Sequence, residues 1–353
     1  KGTTPLKFMP EYEDWVVNGM KEGGNTEFWK QNNVRDYTQN YKDIPVYLVG
    51  GWYDSWGVNT TENFMALNKT IKGPVYLIMG PWIHGRQGSS SHGQVSFGSE
   101  AAIADPMAWR MDWYDHWLKG ENTSVGINDP YKTTVRIFVM GSGDGLMTED
   151  SLLNHGGFWR NENEWPLKRT NYIPYYFTSD GGISTKKAVV TRASTDFIAD
   201  PDDPVPSIGG NTSSGSGILL QGAWNQKGGE HVWNWPLPIP LSARNDVVVF
   251  QTEPLKEDIE VTGEIRVRLW ASSSALDTDF TAKLIDVYPS SKDYPGGFDL
   301  NIGDGIMRAR FRDSRKNEKL MTPGQIYEFE IRLYPTSNIF KKGHRIRVDI
   351  AGS

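Results

Sequence analysis

Two short stretches bring together residue types able to do chemistry: Gly50-Gly51-Trp52-Tyr53-Asp54 and Gly80-Pro81-Trp82-Ile83-His84. Each closes an apolar run of β type, Ile44–Val49 before the first and Pro74–Met79 before the second. An aspartate and then a histidine, each just past the end of a buried strand, keep the acid-then-base order of a nucleophile–acid–histidine triad. In such a pair the ionised carboxylate orients the imidazole and stabilises its protonated form, while the second ring nitrogen takes a proton from the nucleophile. Taken alone, Asp54 reads as a cap on the following helix and His84 as a structural histidine. Together they fall on one edge of a sheet, on neighbouring strands, where the ligand sites of α/β sheets form. Asp54 and His84 are therefore the candidate catalytic residues, with Trp52, Tyr53, Trp56 and Trp82 beside them as candidate substrate contacts. No Gly-x-Ser-x-Gly occurs in the 353 residues, so the pair stands without a recognisable nucleophile.

The elements that must position this pair can be read around it. Ile44–Val49, a helical stretch near Val58–Ile71 and Val75–Met79 give strand, helix, strand, the signature of a parallel sheet. Phe64, Leu67 and Ile71 share one face of that helix. A second helix has Asp105 as its cap, Pro106 in its first turn and Lys119-Gly120 as its stop. Its Trp109, Trp113 and Trp117 recur every four residues and need a surface to cover, most simply the sheet. Residues 1–40 read as polar and irregular, with Trp15, Phe28 and Trp29 as scattered anchors. After about residue 147 strand patterns take over: Val247–Phe250, Ile259–Ala271, Phe280–Val287, Ile326–Leu333 and Arg345–Ile350. Ile265-Arg266-Val267-Arg268-Leu269 alternates strictly, as a half-solvated antiparallel strand requires. The expected order is a cap-region remnant at 1–40, the C-terminal part of an α/β domain at 41–147, and a β-sandwich or jelly roll at 148–353.

Composition narrows the function classes. The formal charge of −6 and the absence of a Lys/Arg block argue against a nucleic-acid or membrane-surface partner, and no apolar stretch is long enough to span a bilayer. The chain has no cysteine, which removes disulfides, thiolate metal sites and cysteine nucleophiles and leaves the compartment undetermined. His92 reads as a solvated loop residue, and His155, His231 and His344 show no ligand spacing. There is no His-Glu-x-x-His, and Asp277, Asp279 and Asp286 follow strand alternation, so neither metal nor cofactor is expected. Both ends read as cut: Lys1 is no translation start, and the Arg345–Ile350 strand runs almost to the last residue.

The chain resembles the cocaine-esterase-like serine hydrolases, a group with the α-amino-acid ester hydrolases and glutaryl-cephalosporin acylases, related to X-prolyl dipeptidyl peptidases. Gly51–Asp54, Gly80–His84, Trp113–Gly120, Val135–Gly141, Asp203–Gly210, Ala275–Pro289, Asp304–Arg312 and Gly343–Arg347 carry the resemblance in order, from roughly residue 10 to the end. It implies an α/β-hydrolase domain with a cap, a C-terminal jelly roll, an acyl-serine route, Asp54 as triad acid and His84 as general base. It also implies that the nucleophile and oxyanion hole belong to an N-terminal portion without counterpart here. The expected partners are that portion and a small ester or amide substrate, with homo-oligomerisation left open. Amine-selecting members hold a free α-amino group with acidic residues, for which Glu27 is the one nearby candidate. The alternatives are an X-prolyl dipeptidyl peptidase, or an aromatic-rich jelly-roll binding module beside a vestigial hydrolase half.

Overall fold

The computed structural model describes residues 9–121, 123, 133–187, 189, 193–213, 219–228 and 239–352. Its principal strands, in chain order, are β1 (Val46–Gly51), β2 (Val75–Gly80), β3 (Val135–Met140), β4 (Gly157–Glu162) and β5 (Val247–Gln251). They continue as β6 (Ile259–Ala271), β7 (Asp279–Tyr288), β8 (Phe298–Arg308), β9 (Tyr327–Phe340) and β10 (Arg345–Ala351). The main helices are α1 (Pro10–Lys21), α2 (Gly57–Thr70) and α3 (Pro106–Tyr114). One mixed sheet has the order β1-β2-β3-β9-β6, with β4 also paired to β3. β1, β2 and β3 run parallel, whereas β6 and β9 form a long antiparallel ladder with a bulge between Gly263 and Ile265. The join between these halves is narrow, a single register of β9 on β3 with Asn338 opposite Met140. A second sheet, β5-β10-β7-β8, is antiparallel throughout and shares an apolar core with the first.

The α/β part follows the sequence closely. β2 is buried along its whole length, as a central parallel strand must be. Helix α2 buries Phe64 and Leu67 against the sheet, and Ile71 follows just past its end. Asp105 caps α3 by accepting from the backbone N–H of Met107 and Ala108, each at 3.0 Å. The tryptophan stripe of α3 covers the sheet as expected: Trp109 is buried beside Ile78 and Trp82, and Trp113 lies 5.0 Å from the Tyr47 ring. Beyond Tyr114 the helix widens into a π-turn, Asp115–Lys119, which stops at the left-handed Gly120, and Trp117 is left at the surface.

Two readings are corrected. Residues 10–21 are a helix, not irregular chain. Its signals are a proline at the start, Glu11 and Glu13 in the first turn, Lys21 in the last, and Tyr12, Trp15, Val16 and Met20 at helical spacing, although it buries no residue. His92 is buried rather than solvated, its ring 6.1 Å from Phe97. In β7, Phe280 and Leu284 face the core, whereas Val287 lies half-buried on the opposite face. The bulge beside it belongs to β8, where Ile302 is the extra residue between the partners of Leu284 and Ile285, so β7 itself alternates regularly. His231 lies outside the described residues, as do residues 214–217 of the Ser/Gly-rich stretch from Asn211.

The core carries one buried polar chain with a consequence for pH. His155 is fully buried; its Nδ1 is hydrogen-bonded to the Tyr288 hydroxyl and its Nε2 donates to Asn338 Oδ1 at 2.8 Å. Burial pushes the imidazole down to about 4, and burial reinforced by the Arg86 charge pushes His92 down to about 4 as well. Each ring therefore binds a proton near pH 6.5 in the unfolded chain and only near 4 in the folded one. The stability they confer is complete above pH 6.5 and is lost as the pH falls toward 4, by at most about 1.4 kcal/mol per pH unit for each histidine. Asp286, Asp304 and Asp349, whose carboxyls burial pushes up, act in the opposite direction, so the measurement is a comparison. Urea unfolding at pH 7 and pH 5 should show a larger loss on acidification for the wild type than for His155→Gln. Equal losses would refute the neutral ring.

Candidate active site

The two sequence stretches meet because their glycines let the backbone pass at contact distance. β1 and β2 pair to their last residues, Gly51 opposite Gly80, and the chains beyond stay bonded. Trp52 N–H donates to the Gly80 carbonyl at 2.8 Å, and Tyr53 N–H to the Trp82 carbonyl at 3.2 Å. A Cβ on Gly51 would sit 2.0 Å from the Trp82 carbonyl oxygen, and one on Gly80 would lie 2.4 Å from the Trp82 ring. No other residue type fits at Gly51 without moving backbone, or at Gly80 without displacing the Trp82 ring. Helix α2 starts as tightly, since a Cβ on Gly57 would be 2.7 Å from the Gly51 carbonyl oxygen.

This geometry delivers Asp54 and His84 to each other. His84 Nδ1 lies 3.1 Å from Asp54 Oδ2. A carboxylate only accepts, so the imidazole carries its proton on Nδ1 and leaves Nε2 as the basic site. The other carboxylate oxygen accepts from Trp56 N–H at 3.0 Å, which closes a tight turn at the start of α2. The two members differ in exposure: the Asp54 side chain is 10% exposed and that of His84 56%. The Trp56 ring stands 4.6 Å from the imidazole, centroid to centroid, and shields one side of it.

The β-rich half holds the same loop from behind, through residues the sequence did not single out. Asn211 Nδ2 donates to the carbonyls of Trp52 at 2.6 Å and Asp54 at 3.3 Å, and its own carbonyl accepts from Ser55 Oγ at 3.1 Å. The Tyr334 hydroxyl donates to the Ser55 carbonyl at 3.0 Å. The Tyr53 hydroxyl donates to the Asn301 carbonyl at 2.8 Å, and burial pushes its ionisation far above the ordinary range. These partners are remote in sequence, so no local spacing could have shown them.

The remaining candidates divide. Trp52, Tyr53 and Trp82 are core residues, each at most 1% exposed, and do not line a substrate surface. The indole N–H of Trp52 is bonded to the Phe138 carbonyl and that of Trp82 to the Ala101 carbonyl, each at 2.8 Å. Trp56, exposed beside His84, keeps the position expected of a substrate contact. Glu27 is an exposed residue paired with Lys30. Asp277 and Asp279 hold the guanidinium groups of Arg310 and Arg308. Among the described residues no cluster of His, Asp and Glu is placed to hold a metal, and no helix is long and apolar enough to cross a membrane. A groove of about 2960 Å³ lies between the two sheets beside Tyr172, Phe250 and Trp270, and neither Asp54 nor His84 lines it.

The chain is similar to several known proteins. Residues 131–353 match the X-Pro dipeptidyl-peptidase C-terminal non-catalytic domain, and residues 1–86 match the X-Pro dipeptidyl-peptidase S15 family. Cocaine esterase of Rhodococcus sp. (strain MB1 Bresler) is 31% identical over 364 residues, covering 99% of this chain and 56% of the relative. A putative serine esterase of Mycobacterium bovis is 24% identical, over 87% of this chain and 45% of its own length. Two solved structures share the fold at 23% identity across 99% of this chain. An aminopeptidase from a marine-sediment Thaumarchaeota archaeon has a TM-score of 0.77 over 53% of its chain, and an α-amino acid ester hydrolase 0.72 over 54%. The chain spans about half the length of the curated relatives it matches.

The placement of the tryptophans is open to a direct test. Trp82→Ala empties a site at the junction of sheet and α3 and should destabilise by about 3–5 kcal/mol, whereas exposed Trp56→Ala should cost under about 1 kcal/mol. Urea denaturation of the two variants checks this; equal costs would mean that Trp82 is not a core anchor.

Proposed function

The chain belongs to the X-Pro dipeptidyl-peptidase family, and from that premise we propose that it is the acid- and base-bearing portion of a serine hydrolase. The reaction is cleavage of an ester or amide by an acyl-enzyme route. The observation that carries this reading is the contact of His84 Nδ1 with Asp54 Oδ2, with the opposite side of the imidazole open. His84 Nε2 takes the proton of a serine hydroxyl as the serine oxygen bonds to the substrate carbonyl carbon. Asp54 stabilises the resulting imidazolium, which then gives the proton to the leaving alcohol or amine. In the second half, water loses a proton to His84 as its oxygen bonds to the acyl carbon, and the imidazolium gives that proton to the serine oxygen as the acyl–serine bond breaks and the acid leaves. The serine and the oxyanion-hole donors come from an N-terminal portion of the same protein. In this assignment residues 1–40 are a cap remnant, 41–147 the C-terminal part of an α/β-hydrolase domain and 148–353 a jelly roll. The proton-transfer apparatus needs no cofactor.

The test uses this chain alone, then joined to or mixed with the nucleophile-bearing portion. Substrates are a p-nitrophenyl ester, an α-amino ester and an Xaa-Pro p-nitroanilide. The isolated chain should show no turnover above background, since the attacking atom is missing and loss of even one oxyanion donor costs about 10²–10³ in rate. The completed protein should be active, inhibited by a serine-directed phosphonate and reduced by about 10⁴-fold or more in His84→Ala. The preferred substrate sorts esterase from dipeptidyl-peptidase activity. Turnover by the isolated chain that His84→Ala abolishes would sink the proposed division of labour.

A further inference from the structure

The Asp203–Gly210 stretch, which stands out in the sequence, takes no part in the proton transfer, yet the structure gives it a specific geometry. Gly209 and Gly210 both have positive φ, 68° and 90°. A Cβ on Gly209 would lie 2.4 Å from the Trp224 ring, and one on Gly210 2.6 Å from Asp304 Oδ2. Gly210 is bonded in both directions to Gly222, its N–H donating at 2.7 Å and its carbonyl accepting at 3.1 Å. So this segment is a left-handed double-glycine turn pressed onto the β-rich half, and the next residue it delivers is Asn211.

Asn211 is buried, 7% exposed, and its amide lies under the turn that carries Asp54. Both groups facing its Nδ2 are carbonyl oxygens, so only an N–H donor serves there. Among the described residues its Oδ1 has no partner, which leaves the holding of the acid loop to Nδ2 and to the backbone carbonyl that takes Ser55 Oγ. Tyr334 fastens the same loop one residue on. These bonds fix the backbone at Trp52, Asp54 and Ser55, and so the point from which the Asp54 side chain reaches His84, while the Trp56 N–H holds the carboxylate itself.

We propose that the Gly209-Gly210-Asn211 turn is a brace by which the β-rich half positions the triad acid, with Asn211 as a positioning residue for Asp54 and Tyr334 as its second point of support. The proposal rests on the acid–base reading of Asp54 and His84. It predicts that perturbing the brace lowers the rate of the chemical step while substrate binding stays intact. Asn211→Asp is the sharpest probe, because it keeps the shape and sets a carboxylate against two carbonyl oxygens.

The experiment uses the complete, hydrolytically competent protein, with active enzyme counted by phosphonate titration so that misfolded material does not enter kcat. Asp54→Asn is measured beside Asn211→Asp, Asn211→Ala and Tyr334→Phe. Both Asn211 variants should lose about 10–100-fold in kcat, the scale of a misplacement of about 1 Å, with KM within about twofold. Tyr334→Phe removes one hydroxyl and remains usable where an Asn211 variant fails to fold; its kcat should fall by roughly 2–10-fold. The downfield proton signal of the His84 Nδ1–H bonded to a carboxylate, identified by its loss in Asp54→Asn, should weaken or vanish in the Asn211 variants. If Asp54→Asn abolishes turnover while the Asn211 and Tyr334 variants keep wild-type kcat and that proton signal, the brace is only structural and the proposal falls. If Asp54→Asn itself retains full turnover, the acid–base reading falls and takes the brace with it.

Discussion

The candidate site depends on one steric constraint: at the ends of β1 and β2 the chain has no side chains where it passes itself. Adjacent strands stand about 4.8 Å apart, and the turns that follow usually diverge. Here the Gly51 position is occupied by the Trp82 carbonyl, and the Gly80 position by the Trp82 ring. The two turns therefore stay joined by Trp52 N–H to Gly80 and Tyr53 N–H to Trp82, and their next residues reach hydrogen-bond distance. A glycine in a strand costs roughly 0.5–1 kcal/mol in backbone entropy. At Gly51 and Gly80 that cost is offset by backbone hydrogen bonds and by the burial of Trp52 and Trp82, which larger residues at those positions would displace.

What surrounds the pair explains why it is rigid on one side only. Behind Asp54 lie two buried indoles, a buried tyrosine and an amide, each with a polar atom bonded to a backbone carbonyl. Buried polar groups satisfied in this way fix a single arrangement, because any shift leaves an unpaired group in low dielectric. The partners come from β3, the loop after β2, β8 and the Asn211 turn, so the loop is clasped by segments from the whole length of the chain.

Much of this architecture was legible in the sequence, because the elements there obey one period and face one environment. Buried β2, capped α3 and the alternating Arg266–Arg268 segment are such cases, and strand order sets Asp54 and His84 side by side, while the glycines at the strand ends bring them into contact. The failures have a common physical cause. In helix α1 the spacing of Tyr12, Trp15, Val16 and Met20 is helical, but none of its residues is buried. Trp52, Tyr53 and Trp82 sit beside the pair in sequence, but strand ends at a sheet edge alternate between solvent and core within one residue. In β7 and β10 the face that alternation assigns to water is covered by another part of the chain. There Lys283 Nζ donates to Gln226 Oε1 at 2.7 Å, and Arg347 Nη1 meets Asp299 Oδ2 at 2.6 Å. Asn211 belongs to the same class: its role is set by carbonyls more than a hundred residues away.

The contrast between a sealed Asp54 and an open His84 bears on how such a pair works. A carboxylate meant to orient an imidazole gains from exclusion of water, since its attraction for a developing imidazolium strengthens as the local dielectric falls. Sealing it without charge neutralisation is costly, and here the turn meets that cost with the Trp56 N–H and with the imidazole itself. In the proposed reaction the base has the opposite requirement, because its free nitrogen must meet a group that changes during the reaction. With Nδ1 committed to Asp54 and Trp56 shielding one side of the ring, the remaining approach to Nε2 is from the exposed side. A proton donor, whichever portion of the protein carries it, therefore meets an imidazole whose tautomer and orientation are already set from behind.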